Sequence, residues 1–124
     1  DYIGKISAGR RAEIYGTKTR DYVYVSDVVA ANLRAMEASG WRGDPVFNIG
    51  SGRETDLWDL YRLLAKLLGA PHNQPIRKPS KPGEVDRFWL DIRRARRILG
   101  FRPTVKLHDG LRKTVQWFLE SRRT

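Results

Sequence analysis

Polar and apolar positions change period several times along this chain, and each change marks an element. Over 56–68, Leu57, Leu60, Tyr61, Leu64, Leu67 and Leu68 recur at the spacing of one helix face, with Thr55 as predicted cap and Gly69 as stop. A similar period over 27–38 predicts a helix capped by Ser26 or Asp27, burying Val29, Leu33 and Met36 and ending at Ser39-Gly40. A helix over 2–9 carries Ile3 and Ile6 on one face and stops at Gly9. Another follows Asp91 as cap, with Ile92, Ala95 and Leu99 inward and Gly100 as its end. The last covers 107–121 on Leu107, Leu111, Val115 and Phe118.

Strand signals fall between these helices. Residues 11–15 alternate, 21–25 and 45–49 are rich in strand formers, and Ile76-Arg77 reads as a short extended piece. Prolines 71, 75, 79 and 82 make 71–84 the longest irregular stretch, the kind of loop that tends to bind something. Phe88 to Leu90 is short and apolar. Strands alternating with helices predict an α/β fold: a small sheet of three or four short strands with four to five packed helices, one domain over 1–124.

Composition narrows the partners. The 124 residues carry a net charge of +10, which suits phosphate-bearing ligands, and 40% are hydrophobic. No apolar run approaches the roughly 18 residues of a membrane span, and no signal segment opens the chain. With no cysteine and only His72 and His108, neither a disulfide nor a metal site is expected, and neither histidine has a neighbour that would make it a base. Trp41, Trp58, Trp89 and Trp117 are scattered and read as packing.

Candidate chemistry is concentrated in Thr19-Arg20-Asp21-Tyr22-Val23-Tyr24-Val25-Ser26-Asp27. Arg20 sits at a strand mouth, where its guanidinium either clamps an anion or pairs with Asp21 or another carboxylate; the residues alone leave both open. Gly50-Ser51-Gly52-Arg53-Glu54-Thr55 imitates a dinucleotide fingerprint, but threonine replaces the third glycine. After Asp59 the next acid is Glu84, too distant to hold a ribose, so a tight turn is expected. Lys81-Pro82-Gly83-Glu84 offers a lysine for phosphate and an acid for a ribose diol, or a plain turn. Arg93, Arg94, Arg96 and Arg97 crowd one helix with no nucleic-acid-binding signature beside them, so a solvated face is expected and nucleic acid is not.

Taken in order, Glu13-Ile14-Tyr15-Gly16, the stretch from Thr19 to Val28, Phe47-Asn48-Ile49-Gly50-Ser51-Gly52, Lys81-Pro82-Gly83-Glu84, Leu90-Asp91 and Leu99-Gly100-Phe101-Arg102-Pro103 resemble a known family. It is the extended short-chain dehydrogenases, the NAD-dependent nucleotide-sugar epimerase/dehydratase family, and the likeness is greatest to the UDP-glucose 4-epimerase type. The resemblance implies the C-terminal, substrate-binding lobe of an extended Rossmann-type enzyme. By the same resemblance, Arg20 matches the diphosphate-binding arginine, and Glu13 and Tyr15 match the strand along the nucleobase. Lys81 and Glu84 match the nucleotide-contacting loop, where lysine departs from the usual arginine and forfeits its bidentate fork. The turn after Gly16 is a residue or two shorter than usual.

The family's Tyr-x-x-x-Lys pair and its glycine-rich cofactor loop are absent, and the first residue is Asp1 rather than methionine. The expectation is therefore a lobe without its N-terminal Rossmann domain: no catalytic residue, no NAD and no turnover on this chain, with NAD in the parent. The expected ligand is a nucleotide sugar, a UDP-sugar by preference. A bare apolar face is expected to favour a homodimer, and the setting is expected to be cytoplasmic, with no membrane contact. A 4,6-dehydratase or another family member is the alternative parent. A fragment that has lost its ligand site, or a basic nucleic-acid module, is the alternative to a nucleotide-sugar lobe.

Overall fold

The computed structural model describes residues 1–39 and 46–122. Its elements are α1 (Tyr2–Ser7), β1 (Glu13–Tyr15), β2 (Thr19–Arg20), α2 (Val25–Glu37), β3 (Thr55–Asp56), α3 (Leu57–Leu67), β4 (Ile76–Lys78), α4 (Arg93–Leu99) and α5 (Leu107–Ser121). The fold is α/β, and the strands form two separate pairs. β1 runs parallel to β4, with Glu13 opposite Ile76, Ile14 opposite Arg77 and Tyr15 opposite Lys78. A parallel pair needs a crossover, and α3 supplies it. β2 is antiparallel to β3, with Thr19 opposite Asp56 and Arg20 opposite Thr55.

The apolar face predicted for α3 is the centre of the main core. Leu60, Tyr61, Leu64 and Ala65 pack with Ile6 of α1, Ala12 and Ile14 at β1, and Val115 of α5. Each large apolar side chain buried this way contributes roughly 1.5–3 kcal/mol. Tyr61 is fully buried, and its polar tip is satisfied: the hydroxyl donates to Asn73 Oδ1 at 2.6 Å and accepts from the Ala12 N–H at 3.3 Å. A second, smaller core joins Ala31 of α2 to Ile92, Ala95, Leu99 and Phe101 around α4.

Several boundaries differ from the sequence reading. The strand expected over 21–25 is instead the two residues of β2, and α2 begins at Val25 with Tyr24 as its first flanking residue. Ser26 and Asp27 therefore lie inside the first turn rather than capping it. Asp56, not Thr55, caps α3, accepting from the N–H groups of Trp58 at 2.7 Å and Asp59 at 3.3 Å; Thr55 is held in β3 by its pairing with Arg20. Asp91 does accept from the Arg93 N–H at 3.0 Å, at the start of α4. Residues 46–49 belong to none of these elements, while Gly40, Trp41 and Pro45 lie outside the described residues. The extended piece expected at Ile76-Arg77 is β4.

The largest correction concerns α2. Val29, Leu33 and Met36 are 51%, 53% and 82% exposed. The helix turns its small side instead, Ala31 with Ala35 and Ala38, onto α4. Short side chains let the two helices approach closely, and the bulky stripe then points away from α4. Trp89 and Trp117 are likewise exposed rather than packed, whereas Trp58 is partly buried and donates its indole N–H to Gly16 O. Among the described residues, no helix is long and apolar enough to cross a membrane.

Candidate functional site

In a strand, alternate side chains share a face, so burying Ile14 turns Glu13 and Tyr15 outward together. The Tyr15 hydroxyl donates to Glu13 Oε2 at 2.8 Å, and Lys78, opposite Tyr15 on β4, reaches Glu13 Oε1 at 3.3 Å. Hydrogen bonds from Tyr15 and Lys78 hold the Glu13 carboxyl below its ordinary range, and the same bond from the other side pushes the Tyr15 phenol up. The chain then doubles back, and the Lys81 ammonium lies 4.0 Å from the Tyr15 ring centroid. Gly16 makes this return fit: at φ 65° it has no side chain, and a Cβ there would collide with Ser80.

Glu84 is held from beneath. Its carboxylate pairs with Lys18, a lysine only 4% exposed, whose own carbonyl accepts from the Leu57 N–H at 2.9 Å. Lysines are seldom this buried without a partner, and nothing in a Gly-Thr-Lys turn distinguishes this one in the sequence.

Arg20 stands apart from that cluster. Its guanidinium donates to Thr19 O at 2.7 Å and lines a cleft of about 450 Å³ with Asp1, Tyr2, Tyr22 and Leu57. Among the described residues it has no carboxylate partner. Asp21, the neighbour that would have neutralised it, points elsewhere and accepts from Ser51 N at 2.7 Å, Ser51 Oγ at 2.5 Å, Gly52 N at 2.9 Å and Leu90 N at 3.2 Å. The Gly50-Ser51-Gly52 turn, expected as a plain tight turn, is thus an anion nest, and the anion is the protein's own carboxylate. A dinucleotide pyrophosphate does not fit there.

Two further carboxylates have roles that the sequence reading did not give them. Glu54 accepts from Thr19 Oγ1 at 2.6 Å and from both arms of Arg87, tying the 84–90 segment to the β2–β3 pair. The Arg87 guanidinium, with the Thr19 hydroxyl, pulls the Glu54 carboxyl down to about 2. A depressed carboxyl contributes its tie above its ordinary pKa, about 4.3 for glutamate, and loses it as pH falls through the folded value. Carbon-13 titration of Glu54 is expected to show a midpoint near 2; a midpoint at the ordinary value means the segment is untied. Asp27 is the other, and it holds the 104–105 backbone (Discussion).

The four α4 arginines do not act as one row. Arg93 pairs with Asp91, Arg94 lies 5.4 Å from the Phe47 ring centroid, and Arg96 faces a different cleft. No group of acids and histidines suited to a metal ion occurs among the described residues.

With this geometry in view, known proteins supply a frame. The model of the GDP-mannose 4,6 dehydratase family matches residues 1–114. The UDP-glucose 4-epimerase of Mycolicibacterium smegmatis is 43% identical over 113 residues, 90% of this chain and 35% of that protein. The solved UDP-glucose 4-epimerase of Thermotoga maritima, with UDP-glucose, superposes with a TM-score of 0.85 at 41% identity, covering 97% of this chain and 38% of that one. The UDP-glucuronic acid 4-epimerase of Bacillus cereus, in complex with NAD, does so with a TM-score of 0.80 at 25% identity, over 97% of this chain and 39% of the other. This chain therefore spans less than two fifths of each of these relatives.

Proposed function

The chain belongs to the GDP-mannose 4,6-dehydratase family of nucleotide-sugar epimerases and dehydratases, and we propose that it is the nucleotide-sugar-holding lobe of a UDP-glucose 4-epimerase-type enzyme. In this proposal the whole protein carries an N-terminal dinucleotide-binding domain, which holds NAD and the catalytic residues. The sugar nucleotide lies in the cleft between the two parts.

The observation that carries the reading is the Arg20 guanidinium, without a carboxylate partner among the described residues, beside an open cleft. A fixed fork of N–H donors with no internal carboxylate is suited to a diphosphate, which it can grip with two parallel bonds. Lys81 adds a second cation once it leaves the Tyr15 ring. Glu13 and Tyr15 line the strand for the nucleobase, and Glu84, steadied by Lys18, accepts from ribose hydroxyls. These groups bind and orient; none transfers hydride, so the isolated chain is proposed to lack turnover. The exposed Val29–Leu33–Met36 stripe of α2 supports a surface that the rest of the protein covers. Without that cover, the stripe favours self-association.

Titrating UDP and UDP-glucose while following backbone amides tests the proposal. Shifts are expected at Tyr15, Arg20, Lys81 and Glu84. Losing a charge-assisted bond of about 1.5–3 kcal/mol, Arg20→Ala is expected to weaken UDP by roughly tenfold to a hundredfold. Arg20→Lys should fall between, since an ammonium keeps charge without the fork. Unchanged affinity in Arg20→Ala would overturn the assignment.

A further inference from the structure

A cleft of about 600 Å³ lies between the 51–55 turn, α4 and the 103–108 segment. Three cations reach its wall from three separate pieces of chain: Arg53 from the turn, Arg96 from α4 and Lys106 ahead of α5. Among the described residues, none of the three has a carboxylate partner within an ion-pair distance. The acid on the wall, Glu54, is already committed to Arg87 and Thr19. The hydroxyls of Ser51 and Thr104 are likewise given to Asp21 and Asp27. The charge on this wall without an ion-pair partner among the described residues is therefore positive, and an excess of one sign in a concave wall concentrates its field on whatever enters.

We propose that this cleft is a second anion site, distinct from the Arg20 cleft, which takes a compact free polyphosphate of pyrophosphate or triphosphate size. Two guanidinium forks match the geometry of phosphate oxygens, and Lys106 supplies a compact third charge. Several adjacent negative charges in one ligand match three cations better than the single charge of a carboxylate does. The volume is in the range of small-ligand clefts. A nucleic-acid duplex fits less well. Of the four α4 arginines only Arg96 reaches the cleft, Arg93 is held by Asp91, and Arg94 lies over Phe47, so no row of free cations tracks a phosphate backbone.

Titration of sodium pyrophosphate and sodium triphosphate into the 124-residue chain, followed by backbone amide shifts, tests the site. Saturable shifts are expected at Arg53, Arg96 and Lys106, and they are expected to persist in Arg20→Ala, which removes diphosphate binding at the Arg20 cleft. Losing even one charge-assisted contact is expected to weaken binding about tenfold, so Arg53→Gln with Lys106→Gln should lose more than that. Lys66→Gln with Arg10→Gln, which removes equal charge away from the cleft, should bind as the parent chain does. Three results overturn the proposal: shifts spread evenly over the surface, equal loss in both double variants, or tighter binding of duplex DNA than of triphosphate. The spectra themselves report whether each variant is folded. Because the Arg20 cleft shares none of these three cations, loss of UDP binding in Arg20→Ala leaves this result intact, and failure here leaves the nucleotide-sugar reading intact.

Discussion

Asp27→Ala is expected to lower folding stability by about 3–5 kcal/mol, seen as a fall in the urea midpoint at an unchanged slope. Asp27 is 3% exposed, on the first turn of α2. Its Oδ1 accepts from Thr104 N at 3.1 Å and Thr104 Oγ1 at 2.8 Å, and its Oδ2 from Val105 N at 3.0 Å. Alanine would leave those donors without their shared acceptor, while the 103–106 segment would lose what aims it into α5. Burial pushes the Asp27 carboxyl up, but the Val105 and Thr104 N–H groups and the Thr104 hydroxyl outweigh it, and the net shift is downward. This contribution is therefore complete above the ordinary aspartate pKa of about 3.9 and disappears as pH falls through the lower folded value. Asn at 27 keeps one acceptor and should cost less. A loss within about 0.5 kcal/mol for Ala, the range of ordinary surface changes, would show that the 104–105 backbone does not depend on this carboxylate.

The second large effect is a coupling. Asp21→Ala is expected to cost about 2–4 kcal/mol, because three backbone N–H groups and one hydroxyl lose a shared acceptor. Gly50→Ala should act on the same point from the other side. A Cβ on Gly50 would come within 2.7 Å of Asp21 Oδ2 and 3.0 Å of Leu90 Cδ1, so either the carboxylate or the turn must shift. The double variant is expected to lose less than the sum of the single losses by about 1 kcal/mol or more, since one broken contact cannot be broken twice. Strict additivity in denaturation would sink the idea that turn and carboxylate form one unit. Asp21 follows Arg20 directly, so the unit also sets where that guanidinium stands. UDP affinity, if Arg20 binds it, should fall in Asp21→Ala as well.

Much of this protein is legible in the order of its residues. The face of α3, the stop at Gly100, the β4 piece in the proline-rich stretch and the apolar line of α5 follow from spacing and turn chemistry, which act over a few residues and hold wherever the segment sits. The motif order was enough to identify the family, and the five residues of the candidate site come from it. What local pattern left open was the destination of each charge. Asp27 looked like a cap and instead holds residues 77 and 78 positions away. Asp21 was one candidate partner for Arg20 and instead fills the Gly-Ser-Gly nest, leaving the guanidinium without a carboxylate among the described residues. Val29, Leu33 and Met36 had the spacing of a buried stripe, yet the alanine side of α2 won the contact with α4. The reason is common to all three. Period and capping depend on neighbours along the chain, whereas an ion's partner and a helix's buried side depend on which distant backbone groups and side chains arrive beside them. Only the tertiary structure decides that.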